Sequence, residues 1–315
     1  MGYKEEYINK TVLITGATGF IGSYLQDRLL NIGAKVYLMS KNEKKVFYQN
    51  NLTKQYFVDI REKNEVINKI DEIKPDFIFH LAADKNRGGG VESFYSLIDI
   101  NVIGLLNLLN GLVKSNLTIP VITLGTIEEY GSVEIPVTES MSDNPESPYA
   151  FSKSSADQLL KLFYKLYNIK AIMLRTTIVY GPKQGEEMFI PSLIKSLNMG
   201  QNFKMTPGEQ TRDFLYIDDL IEAQLIAGAM HKKTSGEIIN VGYGKSYKIK
   251  NIAENIGKIM GKSALIDYGA IEYKKNEIMN YSIDVSKAEK LLGWKPKVKL
   301  DDGLKRTIEY FMKKE

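Results

Sequence analysis

The sequence predicts an α/β protein built on a doubly wound parallel β-sheet, with a smaller mixed α/β part in its C-terminal half. Three observations predict it. A short β-branched run, TVLIT at 11–15, enters a glycine-rich loop and then an amphipathic stretch. Short apolar runs then alternate with helical patterns as far as Arg175. After Gly181-Pro182 that rhythm becomes mixed and irregular. Strands alternating with helices imply right-handed crossovers and a parallel sheet.

The elements follow in order. After the first strand, the spacing predicts strands at 35–39 (KVYLM), 56–59 (YFVD), 76–80 (DFIFH), 120–124 (PVITL) and 171–175 (AIMLR). Each is a short run rich in β-branched or aromatic residues, as a buried strand requires. Helical patterns fill the gaps at 21–31, 62–72, 98–114 and 148–167. Ser147 before Pro148 reads as the N-cap and first turn of the last of these. A late run, IINV at 238–241, is expected to return to the sheet. The expected division is a nucleotide-binding domain over 1–180 with a returning segment near 212–244, and a cap made of 181–211 and 245–315. The patch at Lys274-Lys275 reads as a solvated loop.

Composition narrows the function classes. The chain has 315 residues, 43% of them apolar and 25% charged, a globular balance. It contains no Cys, which excludes disulfides, thiolate metal sites and Cys nucleophiles. With two His, His80 and His231, a His-rich metal centre is not expected, and no metal is assigned. The net charge of +4 is mild and its Lys are scattered, so nucleic acid is not indicated. The opening MGYKEEYINK has no apolar core of a secretory signal. No apolar run reaches ~18 residues, so no membrane-spanning helix is expected and the cytoplasm is the default address.

The loop GATGFIG carries Gly16, Gly19 and Gly22 between a strand and a helix. In that context the three glycines serve a tight turn, close approach to a pyrophosphate, and close packing of helix on strand. The pyrophosphate would sit on the free N–H groups of the helix N-terminus. The motif predicts a Rossmann-type dinucleotide site, with Gly16, Thr18, Gly19, Phe20 and Ile21 as its candidate lining; the alternative is a purely structural glycine-rich turn. At the end of the second strand an acid usually holds the adenosine ribose of NAD. Ser40 and Lys41 stand there instead. A hydroxyl and an ammonium can receive a 2′-phosphate, which favours NADP(H) over NAD(H); the alternative is that Lys41 is an ordinary solvated charge.

Tyr149 and Lys153 lie at i and i+4 on one helical face. A phenol with a reference pKa near ~10 is a poor base at neutral pH. A nearby ammonium and a helix N-terminus both favour the phenolate. The pair can then move a proton to or from a carbinol or carbonyl oxygen. Thr126, at the end of the fifth strand, offers a hydroxyl to the same oxygen.

With these motifs in place, the chain resembles the extended short-chain dehydrogenases/reductases of the NAD-dependent epimerase/dehydratase group, which act on nucleotide-diphosphate sugars. The resemblance rests on TGATGFIG (15–22), VDI (58–60), HLAA (80–83), NVIG (101–104), GTIEEYG (125–131), YAFSK (149–153), VYGP (179–182), RDFLYIDD (212–219) and LGWKP (292–296). It implies that Thr126, Tyr149 and Lys153 form the catalytic triad, with Tyr149 the acid/base and Lys153 also holding the nicotinamide ribose. It implies that Asp59 and Ile60 lie beside the adenine and that Leu81, Ala82 and Ala83 line the cofactor. Arg212 would reach the nucleotide-sugar phosphates, as a permanently charged bidentate group can, or else pair structurally with a carboxylate of the cap. His80 would be structural, and Trp294 would pack in the C-terminal cap.

Departures from the family pattern refine the expectation. The 4,6-dehydratases carry Thr-Asp-Glu after the fifth strand, and here the residues are Thr126, Ile127 and Glu128. Ile127 cannot protonate a departing hydroxyl, so dehydration is disfavoured. Glu128 is left either to touch the sugar or to stabilise its loop. Ile178 replaces an Asn that commonly seats the substrate phosphate. Together with Ser40-Lys41, these features point to NADPH-dependent reduction of a nucleotide-diphosphate 4-keto-6-deoxyhexose at C4, for deoxysugar or surface-glycan synthesis. The alternatives are an NAD-dependent 4-epimerase using the same triad and, outside the enzymes, an NADP-sensing or scaffold protein. In this family the stretches 98–114 and 148–167 would pair across a homodimer; Leu105, Leu106, Leu109, Leu159 and Phe163 could equally face the protein's own sheet.

Overall fold

The computed structural model describes residues 2–41, 51–86, 90–274 and 277–313. The strands are β1 (Thr11–Thr15), β2 (Lys35–Ser40), β3 (Thr53–Phe57), β4 (Phe77–His80), β5 (Pro120–Thr126), β6 (Lys170–Thr176), β7 (Ile178–Tyr180), β8 (Phe203–Met205), β9 (Thr211–Tyr216), β10 (Ile238–Val241), β11 (Ser246–Lys248) and β12 (Ile266–Tyr268). The helices are α1 (Phe20–Ile32), α2 (Lys63–Ile73), α3 (Val91–Ile98), α4 (Gly104–Lys114), α5 (Pro148–Tyr167), α6 (Phe189–Asn198), α7 (Ile217–Ala229), α8 (His231–Thr234), α9 (Ile249–Met260), α10 (Ser286–Leu292) and α11 (Leu300–Met312).

Seven strands form one sheet in the order β10-β6-β5-β4-β1-β2-β3. Every pairing in it is parallel. The chain order reverses between β1 and β4, which opens a crevice at the carboxyl ends of the strands. Alternation along β1 explains the two-sided core. Val12 and Ile14 pack on one face with Leu25, Leu29 and residues of α6 and α7, while Leu13 packs on the other with residues of α2, α4 and α5. Smaller sheets of β11-β9-β7 and β12-β8 follow after β6.

Most predicted elements fall where the periodicity places them. The helix at 148–167 has the predicted ends, because the Ser147 hydroxyl accepts from the Ala150 N–H (3.1 Å) and Pro148 opens the first turn. The third strand is displaced: it covers Thr53–Phe57 rather than 56–59. It is an edge strand with a largely exposed, polar pattern, so its position comes from pairing with β2 rather than from its own hydrophobicity. The helix expected at 98–114 starts earlier, at Val91, and contains a π-helical segment at Asp99–Ile103. Unlike the expectation above, this continuous stretch Val91–Lys114 is long and apolar enough to cross a membrane by length and composition. Half of it is buried against the protein, as in a core helix. Leu105 and Leu109 face the protein's own core, and Leu159 and Phe163 pack partly against the same cluster. Lys275 lies outside the described residues.

Candidate active site

The glycine loop forms the floor of a cavity of about 460 Å³ at the carboxyl end of the sheet. Gly16 has φ +67°, and a Cβ there would stand 2.6 Å from the Ala82 backbone nitrogen. The loop therefore lies directly against the chain leaving β4. A Cβ on Gly22 would stand 2.7 Å from the Gly16 carbonyl oxygen, so α1 also packs without room for a side chain. Gly19 caps α1 with no side-chain hydrogen bond, which leaves first-turn N–H groups for an anion. All the predicted cofactor residues line this one cavity: Gly16, Thr18, Gly19, Phe20, Ile21, Ser40, Lys41, Asp59, Ile60, Leu81, Ala82, Ala83, Tyr149 and Lys153. A dinucleotide fits a donor set of this kind, with a bare helix end for its pyrophosphate.

At the β2 end of the cavity, Lys41 Nζ lies 3.3 Å from Asp59 Oδ2. Arg61 donates to both Asp59 oxygens, through Nε at 3.1 Å to Oδ1 and Nη2 at 2.7 Å to Oδ2. These bonds from Arg61 hold the Asp59 carboxyl well below the usual range. Gln55 Nε2 donates to Ser40 Oγ at 3.2 Å. Arg61, which directly follows the VDI motif, was not singled out by the sequence; it holds the cavity-lining Asp59 from behind.

Two polar ties fix the strand ends. Thr15 Oγ1 and His80 Nδ1 are 2.8 Å apart, and Thr15 Oγ1 also accepts from the Ala82 N–H at 3.2 Å. Burial, helped by the charge of Lys153, pushes His80 down to about 3. His80 is thus neutral, and its tautomer sets which of it and Thr15 is the donor. Asn101, inside the π-helical segment, accepts from the Asp84 N–H (2.8 Å) and donates to the Asp84 carbonyl (3.1 Å) and Ser152 Oγ (2.8 Å). It joins the loop after β4 to α5, one residue before Lys153. The NVIG motif was its only sign in the sequence.

A second cavity of about 840 Å³ adjoins the first, and Tyr149 lines both. Thr126, Glu128 and Arg212 line the larger one, while Lys153 lines the smaller. Tyr149 sits in the first turn of α5 with Lys153 one turn on. Lys153 is half-buried in the wall of the smaller cavity. Burial pushes its ammonium down, and Glu129 and Asp157 push it back up. Thr126 ends β5 and caps the turn Ile127–Tyr130 through a capping box with Glu129. Ile127, also in the lining, packs against Tyr130, Val137, Tyr281 and Ile283.

Arg212 Nη2 pairs with Glu277 Oε1 at 2.5 Å, and its guanidinium lies 5.3 Å from the Tyr281 ring centre. The neighbouring Asp213 accepts from Thr177 Oγ1 (3.1 Å) and from the N–H groups of Tyr243 (2.8 Å) and Gly244 (2.7 Å). Burial pushes Asp213 up to about 6, against those donors. Ile178 lines the larger cavity as well. Trp294 is buried in the core and donates to the Asp219 carbonyl at 3.2 Å, so the LGWKP and RDFLYIDD motifs meet.

The family model described as GDP-mannose 4,6 dehydratase matches residues 13–307. The chain belongs to the NAD-dependent epimerase/dehydratase family of nucleotide-sugar enzymes. Among curated relatives, it is similar to a UDP-glucuronate 4-epimerase of Thermodesulfobacterium geofontis, at 31% identity over 95% of each chain. Among solved structures, it is similar to a UDP-glucose 4-epimerase of Thermotoga maritima with UDP-glucose, at TM-score 0.89 and 30% identity, covering 96% of this chain and 99% of the other. It is also similar to a UDP-glucuronic acid 4-epimerase of Bacillus cereus with UDP-glucuronic acid and NAD, at TM-score 0.87 and 30% identity, over 96% and 99%. Membership of the family makes the chain a nucleotide-sugar enzyme of the oxidoreductase type, on a Rossmann-like seven-stranded sheet.

Proposed function

We propose that this family member is a nucleotide-sugar 4-ketoreductase, reducing C4 of a nucleotide-diphosphate 4-keto-6-deoxyhexose with NADPH. The observation that carries this reading is Ile127, an apolar side chain in the sugar-sized cavity beside Thr126. An elimination would need a general acid there. The bound nicotinamide cofactor supplies the hydride. Thr126 and Tyr149 hold the C4 oxygen, and Tyr149 delivers the proton that the new alkoxide requires. Lys153, one helical turn away, favours the phenolate left behind. Lys41, beside Asp59 at the adenosine end, supports the NADP preference. Arg212 is assigned to the diphosphate and Glu128 to the sugar, with residues 181–211 and 245–315 as the cap. A cytoplasmic homodimer completes the reading. Its support is the exposed apolar surface of α3 and α5, where Tyr95, Phe151, Leu162 and Leu166 are at least 46% exposed.

A second reading, nucleotide-sugar 4-epimerase, is favoured by the names of the relatives above and by the NAD in one of them. One experiment separates the two. The purified protein is incubated with NADPH or NADH and a panel of nucleotide-linked 4-keto-6-deoxyhexoses, following cofactor absorbance and sugar product together. Stoichiometric NADPH oxidation with a reduced sugar is the expected result. Isomerisation of plain nucleotide hexoses without net cofactor consumption would instead establish the epimerase.

A further inference from the structure

Nucleotide sugars differ in the charge of the sugar itself. A hexose or deoxyhexose is neutral, whereas a uronate carries a carboxylate at C6. The charges that line the larger cavity bear on which of these it can take.

Thr126 and Tyr149 mark the reacting end of that cavity. Glu128 lies against it. Its N–H donates to Thr126 Oγ1 at 3.3 Å, and the half-buried residue is part of the cavity wall. Glu146 belongs to the same wall and precedes the Ser147 cap of α5, three residues before Tyr149. Both of its oxygens accept from Ser132: Oε1 from the N–H at 3.0 Å and Oε2 from the hydroxyl at 2.8 Å. That paired contact fixes the Glu146 carboxylate in place.

The opposite charges are fewer. Among the described residues of this lining the cations are Arg212 and Lys274, against the acids Glu128, Glu146, Asp213 and Glu277. Arg212 already pairs with Glu277. A nucleotide sugar adds the negative charge of its own diphosphate. A sugar carboxylate beside Thr126 would therefore meet Glu128 and Glu146 with no described cation left to offset them, and like charges at close range repel. A neutral sugar meets the same wall differently, because its hydroxyls are donors and a carboxylate is an acceptor.

We propose that Glu128 and Glu146 are specificity-determining residues, which confine the site to nucleotide sugars with an uncharged sugar and turn away nucleotide uronates. The same two groups attract one class and repel the other, so discrimination is gained from both sides. The inference rests on the reading of the larger cavity as the nucleotide-sugar site. It holds for a reductase and an epimerase alike.

Calorimetric titration of the full chain with UDP, UDP-glucose and UDP-glucuronate tests it. The two sugars differ only at C6, and UDP alone reports the diphosphate contact. Wild type should bind UDP-glucuronate about tenfold more weakly than UDP-glucose at low salt. The gap should narrow as salt screens the charges. Glu128→Gln and Glu146→Gln together keep the side-chain size and remove both charges, so the gap should fall to about threefold or less. Glu128→Gln alone should do more than Glu146→Gln alone, since Glu128 is half-buried and Glu146 exposed. Equal or tighter binding of the glucuronate by wild type would overturn the proposal, as would a gap that survives unchanged in the double variant. UDP affinity should stay level across the variants, which places the effect on the sugar. Absence of UDP binding would count against the reading of the cavity itself, and with it against this inference.

Discussion

Arg212 and Glu277 form an ion pair at 2.5 Å in the lining of the larger cavity, with the guanidinium over the Tyr281 ring. Burial is the largest influence on Arg212 and disfavours its charge, and Glu277 offsets it. A diphosphate reaching Arg212 has to replace that carboxylate or join it. Glu277→Gln should therefore tighten UDP binding several-fold, and Arg212→Ala should weaken it by ~10–100-fold, on the order of 1.5–3 kcal/mol. Calorimetric titration with UDP checks both, and NADP+ affinity should stay unchanged in each variant.

Tyr149→Phe removes the proposed proton donor and leaves the ring that lines both cavities. Its kcat should fall by ~10²–10⁴ with cofactor binding retained. Thr126→Ala should cost less, because in the proposed reaction the hydroxyl holds the oxygen without exchanging its proton. Equal activity of Tyr149→Phe and wild type in steady-state assays would remove Tyr149 from the mechanism.

Lys41→Ala tests the cofactor preference. The ammonium beside Asp59 is the feature that would meet a 2′-phosphate. The variant should bind NADP+ about tenfold more weakly, or ~1.4 kcal/mol, with little change for NAD+. Fluorescence titration with each dinucleotide measures this, and parallel losses would assign the site to NAD.

His80 predicts an acid limit to stability. Its folded pKa is about 3, against 6.5 for the free group, so the unfolded chain binds the proton first as pH falls. Stability from this group is complete above 6.5 and is lost on acidification, by about 1.4 kcal/mol per pH unit until the folded value is reached. His80→Gln should flatten the denaturation midpoint between about pH 6.5 and 4 in urea titrations.

Arg175→Met should destabilise the fold by about 3–5 kcal/mol, since it leaves buried carboxyls without their cation. The loss should shrink as pH falls and those carboxyls protonate. A pH-independent loss in chemical denaturation would mean that packing, rather than charge, is what Arg175 supplies.

Much of the site was legible because its signals are local. The strand–glycine loop–helix unit, the end of β5 at Thr126 and the Tyr149–Lys153 spacing on a capped helix each lie within one element and its flanking turn. Arg61 and Asn101 sat inside or beside quoted motifs, yet their partners, Asp59 and the Asp84 loop, are identified only by hydrogen bonds formed on folding. The edge strand β3 was misplaced because its stability comes from the ladder with β2 and not from its own burial.

By itself the sequence determined the order of the strands of the main sheet, the Rossmann-type loop and the Tyr149–Lys153 spacing on a capped helix, since hydrophobic period, turn chemistry and capping act over a few residues. Only the tertiary structure decided how charges pair. Glu129, Asp143, Asp157 and Arg175 are ordinary surface-type residues in the sequence, and crossovers between β5, α5 and β6 bring them together under Thr126 and Lys153. Arg212 likewise meets Glu277 from 65 residues away. Coulomb energy depends on distance in space and on exclusion of water, and neither can be read along a chain.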